Sequence, residues 1–157
     1  MYNILFVCYG NICRSPMAEM IFKDLIYKNN KRYMFTCASR ATSMEELGNN
    51  MYPKAINKLI EKNINIENHI AKQIKKQDYN SYDDLIVFEE RNKQDVLRIT
   101  NGDPENKIHL IMEFTDTPKN IDDPWYTNDF ETCFNEINKG CIGLYEELLK
   151  RGVNNDN

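Results

Sequence analysis

Cys8 and Arg14 stand with five residues between them in the stretch CYGNICRS. At that spacing a thiol and a guanidinium can reach one tetrahedral anion. A loop wrapped around such an anion turns its amide N–H groups inward, and the guanidinium closes the ring with paired hydrogen bonds. The cradle would run from Tyr9 through Gly10, Asn11, Ile12 and Cys13 to Arg14 and Ser15. Gly10 admits backbone angles that a Cβ forbids, and Asn11 is among the few other residues that tolerate the left-handed region. Amide dipoles and a nearby cation favour the thiolate of Cys8, the form that acts as a nucleophile. Two other readings of the Cys8 and Cys13 pair stand beside this one. Both could be small apolar side chains packed at a strand end. Zinc would need two further soft ligands, and the chain has only His69, His109 and no Cys-x2-Cys pair.

The flanking residues indicate what positions the loop. Ile4 to Val7 is branched, aromatic and without a polar residue, which suits a strand buried on both faces of a parallel sheet. Ser15-Pro16 reads as the N-cap and first position of a helix that continues through Met17, Met20, Ile21, Asp24, Leu25 and Lys28. The loop therefore joins a strand end to a helix N-terminus, where α/β sheets bind ligands and helices favour anions. The same alternation predicts strands at 33–38, 84–88 and 107–112 and helices at 53–62, 91–99 and 130–150. The fold class expected is α/β, one domain over residues 1–151 with a mostly parallel four-stranded sheet and helices on both faces. The polar tail 152–157 is expected to be disordered.

Composition narrows the setting. With 157 residues, a formal net charge of −4 and no basic block, a nucleic-acid footprint is excluded as an expectation. No run approaches eighteen apolar residues and the N-terminus lacks a basic leader, so neither membrane span nor signal peptide is expected. Five cysteines without secreted-scaffold spacing are expected to be thiols in the cytoplasm.

Taken in context, VCYGNICRSPMAE resembles the signature of the low-molecular-weight protein tyrosine phosphatases, Cys-x5-Arg-Ser near the N-terminus. The likeness runs along nearly the whole chain. ASRATS at 38–43 resembles the family's Ser-Ala-Gly-Thr segment, HIAKQI at 69–74 its His-x-Ala-Arg-Gln segment, and DDPWY at 122–126 its Asp-Pro-aromatic-Tyr motif. The sequence departs from the family at Arg40, Ala41 and Lys72, and in FEERN at 88–92, which replaces a Met-Asp-x-x-Asn pattern.

The resemblance implies a cytoplasmic acid phosphatase that hydrolyses phosphotyrosine in proteins, or small aryl phosphates, through a phosphocysteine. Inorganic phosphate is the product, and neither cofactor nor metal is expected. Such a reaction needs an acid for the leaving oxygen, and Asp122 and Asp123 compete for it. Pro124 holds the residue before it extended, and the family motif also points to that aspartate, so Asp123 is expected to be the acid. The resemblance further implies Cys8 and Arg14 as catalytic residues and Asn11 and His69 as loop supports. Ser15 is expected to hydrogen-bond Cys8. Trp125 and Tyr126 are suited to wall an aryl pocket. Met44, Glu45 and Glu46 occupy the family's variable rim, where the carboxylates form a solvated acidic face or favour basic flanking residues in a peptide. Cys13 is implied as the redox partner of Cys8. Two rivals remain. An arsenate reductase of the same fold needs two more cysteines in a mobile segment, but there is none between Cys37 and Cys133. A catalytically silent phosphotyrosine-binding module would not need Cys8, Arg14 and Asp123 together.

Overall fold

The computed structural model describes residues 1–153. Strand β1, Tyr2–Cys8, is the centre of the architecture, and Ile4, Leu5, Phe6 and Val7 are fully buried, as their unbroken apolar run requires. It pairs in parallel with β2 (Phe35–Ala41) on one side and β3 (Asp84–Val87) on the other. The short β4 (Ile108–Leu110) adds to β3, so the sheet is parallel throughout in the order β2-β1-β3-β4. The helices are α1 (Arg14–Lys28), α2 (Pro53–Glu61), α3 (Asp78–Ser81), α4 (Glu90–Thr100), α5 (Pro124–Thr127) and α6 (Phe130–Lys150).

Strand alternation divides the core. Ile4 and Phe6 face a cluster built with α1 and α6, including Met17, Ile21, Phe22, Ile137 and Leu144. Leu5, Val7, Leu85 and Val87 point the other way, against Val96 of α4 and Tyr79 of α3. Helices therefore cover both faces, as expected. Helix α4 buries Asn92, Val96 and Thr100 at intervals of four and stops at Asn101, whose φ of 61° closes the helix in the left-handed region. Helix α6 starts where Asp129 accepts from the Thr132 amide at 2.9 Å. It approaches the 3-10 turn Ile111–Phe114 so closely that a Cβ on Gly143 would lie 2.1 Å from the Phe114 carbonyl oxygen.

Several boundaries differ from the sequence reading. Strand β2 begins at Phe35 rather than Tyr33 and runs on to Ala41, because it stays in register with β1 up to Cys8. The last strand is cut to three residues because Ile111 and Met112 turn into the 3-10 helix and pack inward. The tail expected from 152 onward begins with Gly152 and Val153. Their amides return to Leu149 O and Leu148 O and finish α6 with a left-handed Gly152. The rest of that expectation, 154–157, lies outside the described residues.

Candidate active site

The chain leaves β1 for β2 on one side and later fills the other side with β3, so the loop after β1 opens at the point where strand order reverses. Cys8 ends the strand there at 3% exposure. Its sulfur lies 3.0 Å from Ser15 Oγ and accepts from the amides of Asn11 at 3.3 Å and Ser15 at 3.4 Å. The loop has thus turned N–H groups toward the thiol, as a cradle must. Asn11 is the residue in the left-handed region, with φ of 59°. Gly10 does not share that conformation, and a Cβ there would make only ordinary contacts at 3.6 Å, so the conformational work assigned to it belongs to Asn11.

Ser15 is not the helix cap. Helix α1 begins at Arg14, with Cys13 at the N-cap position and no side-chain cap. Pro16 is consequently the third helical residue, still within the turn whose N–H groups lack helical partners. The Ser15 hydroxyl is engaged instead with Cys8 and with Asn11 Nδ2, which donates to it at 2.8 Å. Asn11 is held in turn by His69, whose Nε2 lies 2.7 Å from the Asn11 carbonyl oxygen, and by the Lys72 amide, which donates to Asn11 Oδ1 at 3.1 Å. The HIAKQI segment therefore braces the loop from outside.

Arg14 is 1% exposed, and a buried guanidinium demands partners. It donates to the Ile121 carbonyl oxygen at 2.9 Å and to Glu89 in a short, charged hydrogen bond. Its other nitrogen lies 3.5 Å from Asp123 Oδ2. Burial by itself would lower its pKa, and the negative charges of Cys8, Asp123 and Glu89 outweigh burial and raise it. Glu89 was not singled out from sequence as a site residue. The signal was FEERN, where a glutamate stands at the family's aspartate and keeps the carboxylate.

The two candidate acids are separated by the fold. Asp122 is exposed, whereas Asp123 lines the cleft with Cys8 and Arg14 and caps α5 by accepting from the Trp125 amide at 3.0 Å. The cleft encloses about 110 Å³. Trp125 and Tyr126 line it at 51% and 81% exposure, with Glu45 and Glu46. Met44 does not line it and is 67% exposed, so the rim loop presents its carboxylates there instead. Cys13 also lines the cleft, and burial, then the charge of Cys8, pushes its thiol well up. A larger cavity of about 640 Å³ beside α1 and β2 contains none of Cys8, Arg14 and Asp123, so size does not locate the chemistry.

Residues 3–154 match the family described as Low molecular weight phosphotyrosine protein phosphatase. The chain belongs to that family. The low molecular weight phosphotyrosine protein phosphatase of Gallus gallus is 35% identical over 151 residues, 92% of this chain and 94% of the relative. The Homo sapiens protein of the same name is 34% identical, with the same coverage of both chains. Among solved structures, YfkJ from Bacillus subtilis superposes with a TM-score of 0.93 at 29% identity, covering 96% of each chain. The low molecular weight protein tyrosine phosphatase of Streptococcus pyogenes gives 0.82 at 34% identity, covering 96% of this chain and 93% of its own. Membership in the low molecular weight family makes this chain a cysteine-dependent phosphatase. No helix among the described residues is long and apolar enough to cross a membrane.

Proposed function

We propose that this phosphatase acts on phosphotyrosine in proteins and on small aryl phosphates through a phosphocysteine at Cys8. The observation that carries the reading is one sulfur facing two amides and a hydroxyl, in a cleft that Arg14 and Asp123 share. The Cys8 thiolate attacks phosphorus in line with the ester oxygen. The S–P bond forms as the P–O bond breaks, and Asp123 gives its proton to the leaving phenolate. Arg14 and the loop amides stabilise the equatorial oxygens, with their dipoles fixed in advance by Asn11, His69 and Glu89. Water then attacks phosphorus, loses its proton to the Asp123 carboxylate and displaces the thiolate, releasing inorganic phosphate. The Ser15 hydroxyl, hydrogen-bonded to the sulfur, eases that departure. All five cysteines are free thiols, in keeping with a cytoplasmic setting.

The test is Cys8→Ser assayed with para-nitrophenyl phosphate. Turnover should vanish while phosphate and vanadate still bind the cradle. Retention of about a tenth of wild-type turnover overturns the covalent mechanism.

A further inference from the structure

Tyr9 follows Cys8 directly and lines the cleft, yet an anion cradle requires nothing of its side chain. Three residues from two parts of the chain hold it, Ser43 and Glu45 in the loop after β2 and Arg91 in α4. Its hydroxyl donates to Glu45 Oε1 at 2.8 Å. The guanidinium carbon of Arg91, in the first turn of α4, sits 5.2 Å from its ring centroid. Its carbonyl oxygen accepts from the Ser43 amide at 3.0 Å and the Ser43 hydroxyl at 2.9 Å. The other aromatic residues of the cleft differ. Trp125 rests edge-on against Tyr52 at 4.9 Å, whereas Tyr126 is 81% exposed and has no described ring contact.

The charge of Glu45 is the puzzling feature. A carboxylate lining a phosphate cleft repels an incoming dianion, so its presence calls for compensating work. Anchoring Tyr9 supplies it. A hydrogen bond at the tip of the ring and a cation over one face fix the plane of the side chain before substrate arrives. A wall ordered in advance loses no rotamer freedom on binding, so its contact with a flat ring is fully expressed in affinity. An alkyl group has no flat face to set against it.

We propose that Tyr9 is a specificity-determining residue whose ring, latched by Glu45 and Arg91, forms the wall that selects aryl over alkyl phosphate monoesters. Glu45 and Arg91 are positioning residues that act through Tyr9. The inference rests on the phosphatase reading above and deepens it.

The test compares inhibition of para-nitrophenyl phosphate hydrolysis by phenylphosphonate and by methylphosphonate. Glu45→Ala and Arg91→Ala each remove a charge that acts on both dianions alike, so the readout is the ratio of the phenylphosphonate to the methylphosphonate inhibition constant, which each substitution should raise about three- to fivefold. Glu45→Gln keeps an oxygen that accepts the Tyr9 hydroxyl and should leave that ratio at its wild-type value. In a Tyr9→Ala background, neither further substitution should change that ratio. Equal effects on both phosphonates, no effect on either, or failure of Glu45→Gln to rescue overturns the latch. A change in the ratio that persists without Tyr9 also overturns it and shows the substituted residue acting directly on the aryl group. Wild-type protein inert toward para-nitrophenyl phosphate defeats the phosphatase reading itself, whereas active protein indifferent to Glu45→Ala and Arg91→Ala defeats only the latch.

Discussion

At the scale of single residues, the adjacent aspartates make the sharpest contrast. Asp123 lies in the cleft 3.5 Å from Arg14, and its neighbour Asp122 points to solvent. Only a group inside the cleft can protonate a leaving oxygen there, and only poor leaving groups depend on it. Asp123→Ala should therefore lower kcat by about a hundredfold or more for alkoxide-like leaving groups and less for nitrophenolate, while Asp122→Ala stays near wild type. A leaving-group series checks both. Cys13 supports a second prediction, because it lines the same cleft as Cys8. Peroxide should oxidise the Cys8 thiolate to sulfenic acid, and the Cys13 thiolate should then attack that sulfur, expel hydroxide and form a Cys8–Cys13 disulfide that a thiol reductant opens. Cys13→Ser should keep phosphatase activity but recover poorly after peroxide, with the cross-link in wild type read by mass spectrometry.

At the scale of elements, α6 is fitted rather than merely apolar. Cys141, Leu144 and Leu148 are fully buried, and fully burying a large aliphatic side chain stabilises by about 1.5–3 kcal/mol. That packing depends on Gly143, where an added Cβ meets backbone that cannot swing aside, 2.1 Å from the Phe114 oxygen. Gly143→Ala gains helix propensity and still should destabilise by roughly 1–3 kcal/mol, because α6 must lift from the 3-10 turn. Urea unfolding measures it. Gly140 faces the flexible side chain of Ile111 at 2.7 Å, a contact that Ile111 can relieve by shifting, so the same substitution there should cost less. The boundaries of α6, 130–150, were legible in the sequence because a long apolar rhythm is a local signal. Helix α5 was not, since four residues carry no period, and its Asp-Pro start reads equally as a turn.

For the whole molecule, the end of the sheet away from the cleft carries a charge buried for no catalytic purpose. Asp84 is 4% exposed and accepts from the Tyr2 hydroxyl at 2.6 Å. Burial raises its pKa, against the opposing hydrogen bond from Tyr2 and charges of Arg151 and His109. A carboxyl raised in the folded protein holds its proton more tightly there than in the unfolded chain. Its contribution to stability is complete below the unfolded value of about 3.9 and is lost as pH rises through the folded value. Asp84→Asn does not ionise and still accepts the Tyr2 hydroxyl. It should lose less stability than wild type on going from about pH 4 to pH 7, measured by denaturant unfolding at each pH. A steeper loss in the variant would contradict this.

The sequence by itself determined what neighbouring residues settle between them. The buried strand at Ile4 to Val7, the cradle from Cys8 to Arg14, the left-handed Asn11 and the alternation that builds a parallel sheet all depend on spacing along a few turns or pleats. Four motifs in order were enough to indicate the family. Tertiary structure decided whatever depends on which distant segments the sheet brings to the end of β1. Glu89 reaches Arg14 across 75 positions, and His69 reaches Asn11 across 58. Ser15 looked like a cap because Ser-Pro so often starts a helix, and the fold gave its hydroxyl to Cys8 instead. The Tyr9 side chain had no visible task until the fold set Glu45 at its hydroxyl and Arg91 over its ring. A side chain's partners across the fold are fixed by topology and packing, which no local spacing encodes.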